Sequence, residues 1–306
     1  MITSKYNKHS TAQDVTQGLD LHGKTIVITG VNSGLGHESM RVLASRGAHI
    51  IGTARTQQKA ETAAASVDGE VTPLVCELSD FASAKQCADA IKATNTSIDA
   101  LICNAGIMAL PQLEIANGFE QQFNTNHLGH FVLVHNLMES VKKAPQGRVV
   151  MLSSLAHKMA PKGGILFDNL AGERWYRDWP FYGQSKLANL LTAMSLAKRF
   201  EGTSATANAV HPGIIRTNLS RSMGGVQGLL FNNAVSGWMI GKMMGAKSVP
   251  QGAATQCYVA TAPELTKVSG KYFADSNEER PSRYAQNEEL AERLWRFSCD
   301  TLKDYI

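Results

Sequence analysis

The sequence predicts a single α/β domain built on a doubly wound, seven-stranded parallel sheet with helices on both faces. Two observations lead to this prediction. Short apolar, β-branched runs alternate with longer segments of helical periodicity, which is the pattern of consecutive βαβ units. In addition, no Pro- or Ser-rich linker, charge block or internal repeat divides the 306 residues, so we expect one domain over 1–306.

The predicted strands and helices alternate along most of the chain. The strands lie at residues 25–29, 49–53, 71–76, 100–103, 148–153, 206–210 and 271–274. The helices lie near residues 35–46, 57–66, 81–93, 118–143, 180–200, 250–261 and 285–303. Two segments interrupt this alternation, 160–179 and 218–249, and the second is rich in Gly, Met, Leu, Phe and Trp. We expect 218–249 to form a lid over a lipophilic substrate, although an oligomer or membrane contact would use the same residues.

Composition and charge exclude several classes of protein. With 43% hydrophobic and 18% charged residues, the chain is neither disordered nor fibrous. Its net charge of +4 is scattered, so nucleic acid is not an expected partner. The five cysteines have no metal-type spacing and read as reduced thiols. Because the extension 1–22 is polar and no stretch of 18 apolar residues occurs, we expect a soluble cytoplasmic protein without a membrane anchor.

A glycine-rich turn follows the first strand and opens a helix, which is the context of a dinucleotide-binding Rossmann fold. The turn lets helix N–H groups approach a phosphate, and its candidate binding residues are Gly30, Asn32, Ser33, Gly34, Leu35 and Gly36. The second strand is followed by Arg55, and 55 − 36 = 19 residues is the spacing at which the ribose 2′ position is read. A guanidinium there favours NADP(H) over NAD(H).

Tyr182 and Lys186 are four residues apart, so they share one face of the predicted helix. A nearby ammonium lowers the pKa of a phenol, whose ordinary value is about 10, toward the range useful for a general acid or base. The preceding strand ends at Ser153 and Ser154. Since the carboxyl ends of parallel strands meet at the cofactor crevice, we expect these side chains to lie there.

These motifs, with two others, resemble those of the short-chain dehydrogenase/reductase family over nearly the whole chain. The glycine turn, Asn104-Ala105-Gly106, the Tyr182–Lys186 pair and the segment 211–217 occur in the family's order. Residues 126–131, 153–157 and 293–295 look like the branch of retinol dehydrogenases and WW-domain oxidoreductases. The opening residues are similar to soluble bacterial and plastid members of that branch.

The resemblance implies a catalytic role for four residues. Tyr182 would exchange the proton with the substrate oxygen, and Ser154 would hydrogen-bond that oxygen. Lys186 would lower the pKa of Tyr182 and hold the nicotinamide ribose, and Asn126 would hold the water through which Lys186 exchanges protons. The implied activity is that of an NADPH-dependent carbonyl reductase or secondary alcohol dehydrogenase acting on medium-to-bulky apolar substrates.

The resemblance also implies positions for cofactor and substrate contacts. The further cofactor residues are Glu77 and Leu78 beside the adenine, Asn104, Ala105 and Gly106 at its ribose, and Pro212, Gly213, Ile214 and Thr217 at the nicotinamide. Glu77 stands where the family usually has Asp. The candidate substrate pocket comprises His157, Met159, Phe181 and Met223.

Several alternatives remain open at the level of sequence. A reductase of carbon–carbon double bonds, of the protochlorophyllide-reductase type, would use the same Tyr and Lys. A scaffold that binds NADP(H) without turnover is the other alternative. Three histidines, His127, His130 and His135, share one predicted helix, but no further ligand completes a metal site and none is expected. Because helices with Asn126 and Tyr182 form dimer surfaces in many relatives, we expect a homo-oligomer, a dimer or a tetramer.

Overall fold

The structure is a computed structural model, and it describes residues 1–94, 97–215 and 246–306. Within these ranges one large sheet contains β1 (Thr25–Thr29), β2 (His49–Ala54), β3 (Val71–Val75), β4 (Ala100–Cys103), β7 (Arg148–Leu152), β8 (Thr206–His211), β9 (Tyr272–Ala274) and β10 (Asn277–Glu278). A separate hairpin contains β5 (Ile115–Ala116) and β6 (Phe119–Glu120). The order in the large sheet is β10-β9-β8-β7-β4-β1-β2-β3.

The predicted doubly wound α/β domain is confirmed, with one strand more than the seven expected. Strands β1, β2, β3, β4, β7, β8 and β9 run parallel, whereas β10 pairs antiparallel with β9. The tight turn between β9 and β10 places Asp275 and Ser276 at φ 51° and 61°. A two-residue strand after such a turn is too short to show any periodicity in sequence, so the prediction missed it.

Helices cover both faces of the sheet. They are α1 (Ala12–Val15), α2 (Gly34–Ala44), α3 (Gln57–Ala64), α4 (Phe81–Ala93), α5 (Gln121–Phe123), α6 (His130–Lys142), α7 (Asp178–Arg199), α8 (Val249–Thr261) and α9 (Glu288–Thr301). Side chains of α4, α6, α7 and α9 share one apolar core, and those of α1, α2 and α8 share another. In β1, Val27 faces the first core while Ile26 and Ile28 face the second, as the two-residue period of a strand requires.

The predicted helix 118–143 is interrupted at both its start and its middle. Its first residues belong instead to the β5–β6 hairpin, whose turn residues Asn117 and Gly118 have φ of 52° and 81°. A π-helical segment, Asn124–Gly129, then joins α5 to α6. Such segments are rare inside α-helices and are frequent at functional sites, and this one contains Asn126.

The C-terminal helix α9 lies against α6 and α7. The Trp295 ring meets the Phe131 ring edge-on, with centroids 4.8 Å apart, and the Arg199 guanidinium lies 4.0 Å from the Trp295 ring. The opposite face of α9 is charged and exposed, at residues Glu289, Arg293, Arg296 and Asp300. Helix α9 therefore covers the face that α6 and α7 would otherwise expose to solvent.

The polar N-terminal extension is packed against the sheet edge. The Ile2 carbonyl accepts the Glu278 N–H at 3.0 Å, and the Ile2 N–H donates to Glu278 Oε2 at 2.8 Å. Farther along, the Tyr6 and Tyr258 rings meet edge-on at 5.6 Å, and α1 packs on α8. The start of the extension thus runs alongside β10 at the edge of the sheet.

Most of the predicted lid, 218–249, lies outside the described residues, which resume at residue 246. The described ends on either side are held together, because the Lys247 N–H donates to the Ile214 carbonyl at 2.8 Å. None of the helices in the described ranges is long and apolar enough to cross a membrane.

Candidate active site

The glycine turn between β1 and α2 presents the helix N-terminus at the carboxyl edge of the sheet. Gly30 and Gly34 have φ of 74° and 59°, which favour glycine. A Cβ on Gly36 would lie 2.6 Å from Asn104 Nδ2 and would collide with the Gly30 carbonyl, so only glycine allows this approach. Ser33, at the N-cap of α2, makes no side-chain cap bond, and its side chain is exposed. The free N–H groups of this helix suit a phosphate, and the turn therefore fits a dinucleotide.

A polar network fixes the segment after β4 beside this turn. The Asn104 and Ala105 N–H groups donate to Thr29 Oγ1 at 2.9 and 3.0 Å, and Asn104 Nδ2 donates to the Thr29 carbonyl at 2.8 Å. Gln256 Nε2 of α8 donates to Asn104 Oδ1 at 3.2 Å and to Ser39 Oγ at 2.6 Å. Gln256 was not predicted from the sequence. The only sign of its role there is that it is a polar residue in a largely apolar helix.

The other cofactor candidates lie along the same edge. Arg55 directly follows β2 and is exposed. Glu77 Oε1 accepts hydrogen bonds from the N–H and hydroxyl of Ser79, at 3.0 and 2.8 Å, and Leu78 is buried. Thr217 lies outside the described residues. The structure thus brings the adenine-side candidates together at the ends of neighbouring strands.

Tyr182 lies at the start of α7, opposite the end of β7. Its side chain is buried, and burial raises its pKa to about 12, while a hydrogen bond with the Ser154 hydroxyl acts in the opposite direction. Ser154 caps the 3₁₀ turn Leu155–Met159, and its Oγ accepts the Ala156 N–H at 3.2 Å. The two hydroxyls predicted to meet the substrate oxygen are therefore neighbours.

Lys186 lies one turn farther along α7. Its Nζ is 5.7 Å from the centroid of the Tyr182 ring and donates to the Leu152 carbonyl at 3.2 Å. Burial lowers the pKa of Lys186 to about 8. The Ser154 hydroxyl thus acts against the effect of burial on the pKa of Tyr182. The further lowering of this pKa by Lys186 stays a prediction.

Asn126 connects the catalytic helix with the loop after β4. Its Oδ1 accepts the Ile107 N–H at 2.8 Å, and its Nδ2 donates to the Ile107 carbonyl at 2.9 Å and to Ser185 Oγ at 3.0 Å. The Ser185 hydroxyl in turn donates to the Tyr182 carbonyl at 2.8 Å. A Cβ on Gly106 would lie 2.9 Å from Asn126 Oδ1 and 3.3 Å from Lys186 Nζ, so this glycine allows the two side chains to flank it. The side chain of Asn126 therefore hydrogen-bonds both to the loop after β4 and to α7.

The substrate candidates divide into exposed and buried residues. Met159 is 50% exposed, as expected for a pocket wall, and Leu155 of the same 3₁₀ turn and Ile214 of the loop after β8 are 47% and 39% exposed. His157 and Phe181 are wholly buried, and their contact with a substrate stays a prediction. His157 Nδ1 donates to the Ser154 carbonyl at 2.6 Å, and its Nε2 accepts the Ser282 N–H at 3.0 Å. Met223 lies outside the described residues.

The loop after β8 carries the nicotinamide-side candidates Pro212, Gly213 and Ile214. Gly213 has a φ of 98°, and a Cβ there would lie 2.7 Å from the side chain of Lys247. Lys247 is itself buried and forms an ion pair with Asp275 at 2.5 Å. Sequence reasoning missed this pair, which joins the loop to the β9–β10 turn.

Titratable side chains elsewhere near the site are engaged within the protein. His127 Nε2 is 3.0 Å from Ser298 Oγ, and both ring nitrogens of His130 have partners. Among the residues that the structure describes, no group of three His, Cys, Asp or Glu side chains is placed to hold a metal ion.

Comparison with known proteins agrees with this geometry. The short chain dehydrogenase family model matches residues 24–225. Short-chain dehydrogenase TIC 32 A, chloroplastic, from Brassica napus is 40% identical over 97% of this chain and 96% of its own length. Retinol dehydrogenase 12 from Mus musculus is 39% identical over 94% of this chain and 89% of its own length.

Solved structures show the same fold. The crystal structure of an uncharacterized protein from Mycobacterium paratuberculosis has 31% identity and a TM-score of 0.74, over 94% of this chain and 97% of that one. A gluconate 5-dehydrogenase-like protein from Beutenbergia cavernae, solved with bound NADP, has 23% identity and a TM-score of 0.65, over 84% of this chain and 96% of that one. This chain therefore belongs to the short-chain dehydrogenase/reductase family of oxidoreductases with a nicotinamide cofactor, in its retinol-dehydrogenase-like branch.

Proposed function

We propose that this protein is an NADPH-dependent carbonyl reductase or secondary alcohol dehydrogenase for medium-to-bulky apolar ketones, aldehydes or alcohols. The observation that carries the proposal is the meeting of three groups at the carboxyl end of β7. The Ser154 hydroxyl is close enough to the Tyr182 hydroxyl to lower its pKa against the effect of burial, and Lys186 Nζ lies 5.7 Å from the centroid of the Tyr182 ring.

The three side chains would divide the chemistry between them. A bound NADPH would supply the hydride to the carbonyl carbon. The Ser154 and Tyr182 hydroxyls would hydrogen-bond the carbonyl oxygen, and Tyr182 would give it a proton as negative charge develops. Lys186 would hold the nicotinamide ribose, and Asn126 would hold the water that returns a proton to Lys186. The same groups would act in reverse on an alcohol.

The preference for NADPH is supported by Arg55. It is exposed directly after β2, at the spacing from the glycine turn where the ribose 2′ position is read. A guanidinium in that position would pair with the 2′-phosphate. Gly30, Asn32, Ser33, Gly34, Leu35 and Gly36 would hold the pyrophosphate.

The preference for an apolar substrate is supported by the surface beside Ser154. Leu155, Met159 and Ile214 expose large apolar side chains there, and the Trp179 ring lies 6.0 Å from the Tyr182 ring. Large exposed apolar surface near a candidate site is typical of a ligand groove. The flexible thioether of Met159 would adapt to bulky substrates.

The proposal is tested by Tyr182→Phe, assayed with NADPH or NADH against a graded panel of apolar ketones. We expect the substitution to lower kcat by roughly 10²- to 10⁴-fold while NADPH binding is retained. The matched control is Tyr258→Phe, which removes the hydroxyl of another buried tyrosine that donates to Glu264 at 3.0 Å.

Undiminished ketone reduction by Tyr182→Phe would mean that the assigned mechanism is wrong. Reduction of conjugated double bonds in the absence of ketone reduction would favour a protochlorophyllide-reductase type of activity. Binding of NADPH with no turnover on any substrate would favour the scaffold.

A further inference from the structure

His130 is the first residue of α6, and its side chain is buried. The proposed mechanism gives this side chain no role. Its ring is wholly buried and bridges two separate elements. Nε2 lies 2.9 Å from Thr29 Oγ1, at the end of β1. Nδ1 lies 2.9 Å from the main-chain carbonyl oxygen of Asn126, in the π-helical segment.

The partners of His130 determine its tautomer. A carbonyl oxygen can only accept, so Nδ1 must carry the hydrogen and donate to Asn126. Thr29 Oγ1 already accepts the N–H groups of Asn104 and Ala105, which occupy its two lone pairs. Its own hydrogen is therefore left to donate to Nε2 of a neutral imidazole. Burial, which lowers the pKa of His130 to about 4, agrees with this neutral state.

The bridge joins the two halves of the site. On one side, Thr29 holds the Asn104–Ala105 segment that forms the proposed ribose wall. On the other, the Asn126 side chain reaches Ile107 and Ser185, and Ser185 reaches the Tyr182 carbonyl. Each nitrogen of this imidazole has a single partner, so each of its two bonds acts on a different half of the site.

We propose that His130 is a positioning residue that holds the cofactor-binding segment after β4 through Nε2 and, separately, the placement of Asn126 and the catalytic helix through Nδ1. The proposal rests on the proposed function, because it assigns these segments to a dinucleotide and to Tyr182. Its Nε2 bond serves cofactor binding through Thr29, and its Nδ1 bond serves turnover through Asn126.

Two conservative substitutions separate these bonds. The amide of asparagine is equivalent in position to Nδ1 of histidine, and the amide of glutamine to Nε2. His130→Asn therefore retains the donor to Asn126 and loses the contact with Thr29. We expect it to raise the Kd for NADPH about tenfold and to change kcat less than threefold, as expected for one lost hydrogen bond.

His130→Gln is expected to show the opposite pattern. It retains a partner for Thr29 and loses the donor to Asn126, so kcat should fall about tenfold while the Kd for NADPH changes less than threefold. NADPH fluorescence measures the Kd without any substrate, and steady-state kinetics on a ketone measures kcat.

The matched controls are His127→Asn and His127→Gln. His127 is equally buried and lies in the π-helical segment directly before α6, but its Nε2 contacts Ser298 of α9. These controls should lower Tm by as much as the His130 variants and change Kd and kcat less than threefold. If the His130 variants behave like these controls, or if both change Kd and kcat together, the assignment of one positioning role to each nitrogen is wrong.

The two proposals fail in different ways. A wild-type protein that binds NADPH but reduces no ketone overturns the proposed function, and the Kd comparison then decides the role of His130 alone. A wild-type protein that binds neither NADPH nor NADH overturns both.

Discussion

At the level of single residues, burial shifts the pKa values of the two ionisable groups of the candidate site in opposite directions. It raises the pKa of Tyr182 to about 12 and lowers that of Lys186 to about 8. Both shifts favour the neutral form, because each side chain is removed from water. A neutral phenol can donate the proton that the proposed carbonyl reduction requires.

These shifts predict the pH dependence of ketone reduction. Tyr182 remains protonated well above neutral pH, so it imposes no loss below about pH 8. Lys186 is charged below its pKa of about 8 and loses its charge above it, so kcat/KM should fall as the pH rises through that value. In Lys186→Arg the guanidinium stays charged, and the alkaline decrease should move upward even though the rate is lower. An unchanged alkaline decrease in this variant would assign it to another group.

The position of Arg55 predicts a preference for NADPH over NADH. Arg55→Asp places a carboxylate at the 2′-phosphate, so the Kd for NADPH should rise by about tenfold or more, with NADH affected less. Fluorescence titration with both nucleotides measures the change. Arg296→Asp, on the exposed face of α9, is the control for a general effect of charge. Equal losses for the two nucleotides would contradict a role for Arg55 in reading the phosphate.

At the level of elements, the sequence predicted the strands and helices that have a clear apolar pattern. It did not predict elements that are very short or that depend on tertiary contacts. The strands around 25–29 and 148–153 were predictable because each is a short apolar run, buried along its whole length. The helix around 180–200 was predictable because its sequence pattern is too long for a strand. The strand β10 and the π-helical segment were not, since one has two residues and the other depends on contacts of Asn126 with Ile107 and Ser185. Likewise, motif order brought Ser154, Tyr182 and Lys186 together, whereas the burial of His157 and Phe181 depends on the packing of distant segments.

The packing of α7 on the 3₁₀ turn Leu155–Met159 depends on Gly183. A Cβ there would lie 2.5 Å from the Ala156 carbonyl oxygen. Gly183→Ala should therefore push α7 away from the turn, separate Tyr182 from Ser154, and lower kcat by about tenfold or more. It should also lower the free energy of unfolding by roughly 1–3 kcal/mol.

Gly147→Ala is the matched control for that substitution. A Cβ on Gly147 would collide with the Val141 carbonyl oxygen at the opposite end of β7. Denaturant unfolding should show a comparable loss of stability, with kcat nearly unchanged. If kcat fell equally in both variants, the effect of Gly183→Ala would reflect stability alone.

At the level of the whole molecule, α9 occupies the surface through which we expected an oligomer to form. Ser195 Oγ of α7 donates to the Ala291 carbonyl at 3.1 Å, and Arg199 pairs with Glu292 at 2.9 Å. With Trp295 packed on Phe131, this helix covers part of the surface of α6 and α7. Its outward face is charged, which disfavours burial against another copy.

We therefore predict that assembly does not use the faces of α6 and α7. Light scattering after size-exclusion chromatography should give the mass of one 306-residue chain at micromolar concentration. The substitution Arg296→Ala, on the exposed face of α9, should leave that mass unchanged. A dimer in which Arg296→Ala weakens association would show instead that α9 is itself an interface.

The N-terminal extension along β10 has a consequence for the order of folding. Ile2 and Glu278, which are bonded at the sheet edge, are 276 positions apart, and α1 packs on α8, which begins at Val249. During synthesis α1 can already contact α2 and Arg46, whereas Ile2 has no partner until Glu278 has been made. Contacts of such long sequence separation carry the largest loop-closure entropy and form late. The residues around Ile2 are thus expected to be among the last to dock.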